Sequence, residues 1–75
     1  MNDEIQLLLR KAEDSLNDAS LLIEYNRNEA AANRLYYCIF YCMLALLQAK
    51  GITPKTHKGI QIKFNEAFIQ TRLLP

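Results

Sequence analysis

Arg34 heads a stretch, residues 35 to 47, that contains no other charged side chain and no amide. A guanidinium stays protonated and carries five N–H donors in a planar fork, so among apolar neighbours it needs an anion, carbonyls or water. It is therefore either a buried structural pivot or a group that holds a phosphate. In a helix of ~100° per residue, Arg34 and Tyr41 fall within ~20° of each other, about ten ångströms apart along the axis. Cys38 lies between them, Tyr37 flanks the line, and Ala45 and Gln48 continue it. Such a row can cradle a phosphodiester: the guanidinium offers its fork, and the phenols of Tyr37 and Tyr41 offer hydroxyls and stacking surfaces. Asn33, one residue earlier, can orient the phosphate or bond a neighbouring base. Tyrosines at helical spacing serve equally as core or interface residues with solvated hydroxyls. In that competing reading Arg34 bridges to a carboxylate such as Glu29 or Glu24, and the chain is a non-catalytic interaction module.

His57 is the only histidine. It lies beyond the far end of the Arg34 helix, some sixteen helical residues or ~24 Å away, so the two are not expected to pair within one chain. If two such helices crossed antiparallel in a dimer, His57 of one copy would approach Arg34 of the other and supply a base in trans. Otherwise it is a first-turn residue of a following helix, beside Lys55 and Lys58. Cys38 and Cys42, one turn apart in the apolar run, read as buried reduced thiols. With His57 they do not make a four-ligand zinc set, and neither a metal nor another cofactor is expected. The chain has no glycine-rich phosphate loop and no serine nucleophile with a partnered base.

The elements that carry these residues are helices. Half of the 75 residues are hydrophobic (51%), with only two glycines and two prolines, which argues against disorder and for one small helical domain. Asn2 or Asp3 can cap a first helix, about residues 3–26. Its apolar positions Ile5, Leu8, Leu9, Ala12, Leu16, Ala19, Leu22 and Ile23 form one stripe, and Glu4, Lys11, Asp14 and Asp18 lie on the opposite face, in water. Asn28 can cap a second helix, about 28–50, and Gly51 stands where a left-handed C-cap belongs. The short connection makes these two helices antiparallel. Thr56 can cap a third helix, about 56–73, with Ile60, Phe64, Ala67, Phe68 and Thr71 along one side. The second helix is apolar all round, and two neighbours cannot cover it, so a homodimer packed through it, further helices, or both are expected.

Charge is uneven along the chain: −4 over residues 1–25, +1 over 26–49 and +4 over 50–75. The basic end can steer a polyanion or pair with an acidic face. No signal peptide is recognisable, and the thirteen-residue uncharged run 35–47 is short of the ~20 residues that span a bilayer. A soluble, cytoplasmic protein with no membrane segment is expected.

Three blocks, Lys-Ala-Glu-Asp-Ser-Leu from Lys11, Ala-Ala-Asn-Arg-Leu-Tyr-Tyr from Ala31, and Gly-Ile-Thr-Pro-Lys-Thr-His-Lys-Gly-Ile from Gly51, occur in an order and at separations that resemble the HEPN (higher eukaryotes and prokaryotes nucleotide-binding) domain family. The resemblance spans most of the chain. It implies an antiparallel up-down bundle of four or five helices, usually dimeric, of which residues 1–75 would supply a single domain lacking the last one or two helices. Many members are metal-independent ribonucleases whose signature is Arg, four to six residues, then His, with two copies forming one cleft. Others partner a minimal nucleotidyltransferase in prokaryotic toxin–antitoxin systems. The resemblance maps the arginine onto Arg34 and the polar residue before it onto Asn33. At the six-residue spacing the histidine position is Tyr41, and shorter spacings land on Ile39 and Phe40. Metal-free RNA cleavage needs a base for the 2′-hydroxyl proton, and a phenol, protonated at neutral pH, is a poor one. The expected function is thus binding of RNA, nucleotide phosphate or a nucleotidyltransferase around Arg34, with Arg34 and Tyr41 as the catalytic candidates should cleavage occur.

Overall fold

The computed structural model describes residues 2–70; Thr71 and the rest of the span expected for the third helix lie outside them. All regular structure among the described residues is helical. Helix α1 is Asp3–Glu24. Asn2 starts it from extended backbone, its Oδ1 accepting the Ile5 N–H at 2.8 Å, with Asp3 and Glu4 beside the positive end of the helix dipole. The helix stops short of residue 26 because Asn26 turns left-handed, φ 59°. The Asn26 N–H then bonds the Ile23 carbonyl at 3.0 Å and the Arg27 N–H bonds that of Leu22 at 2.8 Å, a Schellman ending.

Helix α2, Asn28–Ala49, begins directly afterwards, and Asn28 does not cap it as expected. The tight turn makes Asn28 the first helical residue and puts Arg27 at the cap, with no side-chain hydrogen bond. The far end closes as α1 does. Gly51 takes φ 75°, and the Gly51 and Ile52 N–H groups bond the carbonyls of Gln48 and Leu47, both at 2.9 Å. Gln48 Nε2 donates to Glu4 Oε2, and the Lys11 ammonium lies over the Tyr41 ring. Both pairs are equidistant in sequence from Asn26, so α1 and α2 are antiparallel.

Helix α3 is His57–Phe64. Thr56, in extended backbone, caps it by accepting the Gly59 N–H on Oγ1 at 2.9 Å. Glycine suits position 59, because a Cβ there would sit 2.9 Å from that same Oγ1. Thr56→Ala removes the cap and is expected to cost about 1 kcal/mol, measured as a shift of the urea midpoint. Past Phe64 the chain widens into a π-helical turn, Asn65–Ile69, in which the Gln70 N–H reaches the Asn65 carbonyl at 2.7 Å. The α-helix expected to residue 73 therefore ends earlier than its apolar spacing implied. Nothing in that spacing signals the extra residue in the turn.

The core sits where α2 meets α3: Leu47, Ile60 and Phe68 are buried, with Phe40, Met43, Leu44, Ile52 and Phe64 packed around them. Against α1 the seam is lined by small residues. Ala12, Ser15 and Ala19 are buried with Ala31 and Ala45, which brings the two helices close. Only part of the expected α1 stripe is covered as a result. Ile5 is buried, Leu8 and Leu22 are half-buried, and Leu9, Leu16 and Ile23 stay exposed. Helix α2 is likewise open at Leu35, Tyr36, Ile39 (61% exposed) and Leu46. By length and composition α2 as a whole could cross a membrane, and only 17% of its most apolar stretch is buried inside the chain. Counting the uncharged run alone had understated that.

Candidate functional site

Arg34 is in the second turn of α2, half-buried on the side that borders α1. Its Cζ lies 4.9 Å from the centre of the Tyr37 ring. The Tyr37 ring is 6.2 Å from that of Tyr41, and from α1 the Lys11 Nζ is 5.8 Å from the Tyr41 ring centre. The row thus alternates cation, phenol, phenol, cation. Both cation–π contacts leave the ammonium and guanidinium able to donate to an anion, since a ring face takes charge without taking the N–H groups. Lys11 was expected in water on the far side of α1, and the hairpin brings it to the row. Its distance from Asn26 equals that of Tyr41, a signal available once the turn is located.

The polar partners of Arg34 are the point of interest. Among the described residues it makes no hydrogen bond and no ion pair, and its Nε is buried without an acceptor. The bridge to Glu29 or Glu24 entertained from the sequence is therefore not formed. A buried donor left unpaired costs ~1–3 kcal/mol, and each such case in a native fold calls for a reason. Asn33, next in the chain, is exposed.

His57 stands elsewhere than its distance along the chain implied. Its ring stacks on Phe40 with centroids 4.5 Å apart and planes 30° from parallel. Phe40 is 6.1 Å from Tyr37, which carries Arg34 at 4.9 Å. These three steps laid end to end are shorter than the ~24 Å expected from helical rise, because the 51–56 loop folds α3 back along α2. No hydrogen bond joins His57 to Arg34 among the described residues.

Cys38 and Cys42 are free thiols, half-buried rather than buried. Burial, then the charge of Cys38 and a hydrogen bond to it, push the Cys42 thiol above its ordinary pKa. The thiolate is the nucleophile, so at any pH near 8 less of Cys42 is reactive than of an unstructured cysteine. Native alkylation with iodoacetamide is expected to be several-fold slower at Cys42 than in urea, read by peptide mass mapping. Among the described residues no cluster of three or more His, Cys, Asp and Glu side chains could hold a metal ion.

Comparison with known proteins places the chain. Residues 5–75 match the family model described as HEPN domain. A UPF0332 protein of Thermotoga maritima is 42% identical over 67 residues, 89% of this chain and 51% of the relative. A Methanocaldococcus jannaschii protein named "Putative toxin" is 41% identical over 71 residues, 95% of this chain and 48% of the relative. A second protein of that organism with the same style of name is 38% identical over 69 residues, 92% of this chain and 52% of the relative. The chain spans about half the length of these curated relatives. No solved structure matches it significantly.

Proposed function

Because this chain belongs to the HEPN domain family, we propose that it works in a toxin–antitoxin-type system by holding the phosphate of RNA or of a nucleotide at Arg34. The observation that carries this reading is the buried Arg34 Nε without an acceptor, in a side chain with no carboxylate partner among the described residues. A phosphate oxygen is the acceptor that a planar fork fits best, through two parallel N–H···O bonds. Tyr37 holds the guanidinium plane, Asn33 at the exposed edge bonds the phosphate or a base, and Tyr41 donates its hydroxyl. Lys11 adds a second positive charge at the far end of the row, so that a sugar-phosphate backbone laid along the two phenols meets a cation at each end. With Tyr41 in place of the histidine of the family signature, the site binds without an evident base, and RNA is expected to come away intact.

The open faces of α2 support the rest of the reading. Leu35 and Leu46, exposed on α2 clear of its cleft with α3, are side chains a second copy would cover, giving a homodimer through α2. In that dimer His57 of one copy would be the group to approach Arg34 of the other. A minimal nucleotidyltransferase is the alternative partner, favoured by the family and by the two relatives named as toxins. The protein would work in the cytoplasm, where its two thiols stay reduced.

The test is fluorescence anisotropy of a labelled single-stranded RNA titrated with the chain in EDTA, repeated across salt concentrations, with the RNA run on a gel afterwards. Saturable binding that weakens linearly with log salt, and RNA of unchanged length, are expected. No binding at low salt would remove the RNA reading. Cleavage that disappears with Tyr41→Phe would make the chain a nuclease instead.

A further inference from the structure

Resting on that phosphate reading, we infer that the cleft between α2 and α3 is a subsite for one unstacked base of a single-stranded RNA. The cleft, of about 60 Å³, is lined by Tyr36, Ile39, Phe40 and Met43 of α2 and by His57, Ile60 and Gln61 of α3. Three of these seven carry flat rings. Tyr36 and Phe40 are 24° from parallel with centroids 6.3 Å apart, just short of twice the ~3.4 Å rise of stacked bases. Tyr36 is 46% exposed, so a small swing of its ring admits a base between the two. The other side of the cleft is the His57 ring, itself stacked on Phe40.

The walls of the cleft are mostly apolar, as those of uncovered core would be, and two features at its border point to a base. Gln61, exposed at its rim, carries both a carbonyl acceptor and an amide donor, the pair of groups that a base edge demands and an apolar helix does not. His57 lies between Lys55 and Lys58 in the segment that carries +4, so the chain bordering the cleft is matched to a polyanion. The cleft is also joined to Arg34. Tyr36 touches Tyr37 edge-on at 5.4 Å, and Tyr37 carries the guanidinium. A phosphate on Arg34 therefore leaves the adjoining base within reach of Tyr36. Sequence-specific and sequence-tolerant RNA binders alike hold splayed bases on aromatic rings in this way.

The single histidine makes the test direct. The chain is titrated with a short oligouridylate and with an abasic ribose-phosphate chain of equal length, following the His57 ring protons by NMR and affinity by anisotropy. The oligouridylate is expected to bind about ten-fold more tightly than the abasic chain, the worth of one stacked base, and to move the His57 signals by ring-current shifts that the abasic chain does not cause. Tyr36→Leu, on an exposed position, is expected to erase that ten-fold difference while leaving abasic binding unchanged. Equal affinity for the two polymers, with His57 unmoved, would overturn the base subsite and leave the phosphate reading standing. Failure to bind either would overturn both. His57 signals that move with protein concentration and not with RNA would assign the cleft to a second copy of the chain.

Discussion

Arg34→Ala is expected to lower the affinity of the chain for single-stranded RNA by about ten- to a hundred-fold, the value of a lost charge-assisted contact. The slope of log affinity against log salt falls by about one, as expected for one phosphate contact removed. Fold and oligomeric state are expected to persist. Among the described residues the side chain makes no ion pair or hydrogen bond, and the contact forfeited is its position over Tyr37, worth ~0.5–1 kcal/mol at a site of this exposure. Arg34→Lys keeps the charge and loses the fork, so it is expected to recover the salt slope and only part of the affinity. Circular dichroism and size-exclusion chromatography on the same samples separate the two roles. A variant that unfolds or dissociates makes Arg34 a structural pivot. One that binds as well as the parent moves the phosphate to the lysines of the last third of the chain.

The largest stability effect belongs to Leu47→Ala. Leu47 is fully buried and is the α2 member of the cluster that includes Ile60 and Phe68, so truncation removes contacts on several sides at once. A loss of ~2–5 kcal/mol is expected. A 75-residue chain has little reserve, since a domain of this size buries only ~60% of its unfolded surface. The variant is therefore expected to be substantially unfolded at about 37 °C. Ile39→Ala, at an exposed position of the same helix, is expected to stay within ~0.5 kcal/mol in dilute solution. Thermal melts of both variants check the pair. A neutral Leu47→Ala would place the core elsewhere.

The three helices were legible because each is punctuated by side chains that act locally. Asn2 and Thr56 cap where their spacing places them, and Gly51 takes the left-handed turn. Asn28 misled, because the left-handed residue that ends α1 is Asn26, and an Asn-Arg-Asn connection gives no local reason to prefer one asparagine for the turn and the other for the cap. The π-helical turn at Asn65–Ile69 left no trace in the apolar spacing, since Phe64 and Phe68 fit an α-helix equally well. At the site, the row Arg34, Tyr37, Tyr41 follows from helical geometry alone. Lys11 and His57 do not, because their places depend on how α1 and α3 fold back on α2. That is tertiary information, and only the first of them could be recovered by counting outward from the turn.

The most direct measurement is the guanidinium region of a ¹H–¹⁵N spectrum, with the Arg34 Nε–H cross-peak identified by its absence in Arg34→Lys. Addition of a short oligouridylate is expected to shift that cross-peak downfield, saturably, at the concentration where anisotropy reports binding, while those of Arg10 and Arg27 stay in place. An Arg34 cross-peak that does not move while RNA binds would show that the unpaired donor in α2 holds no phosphate.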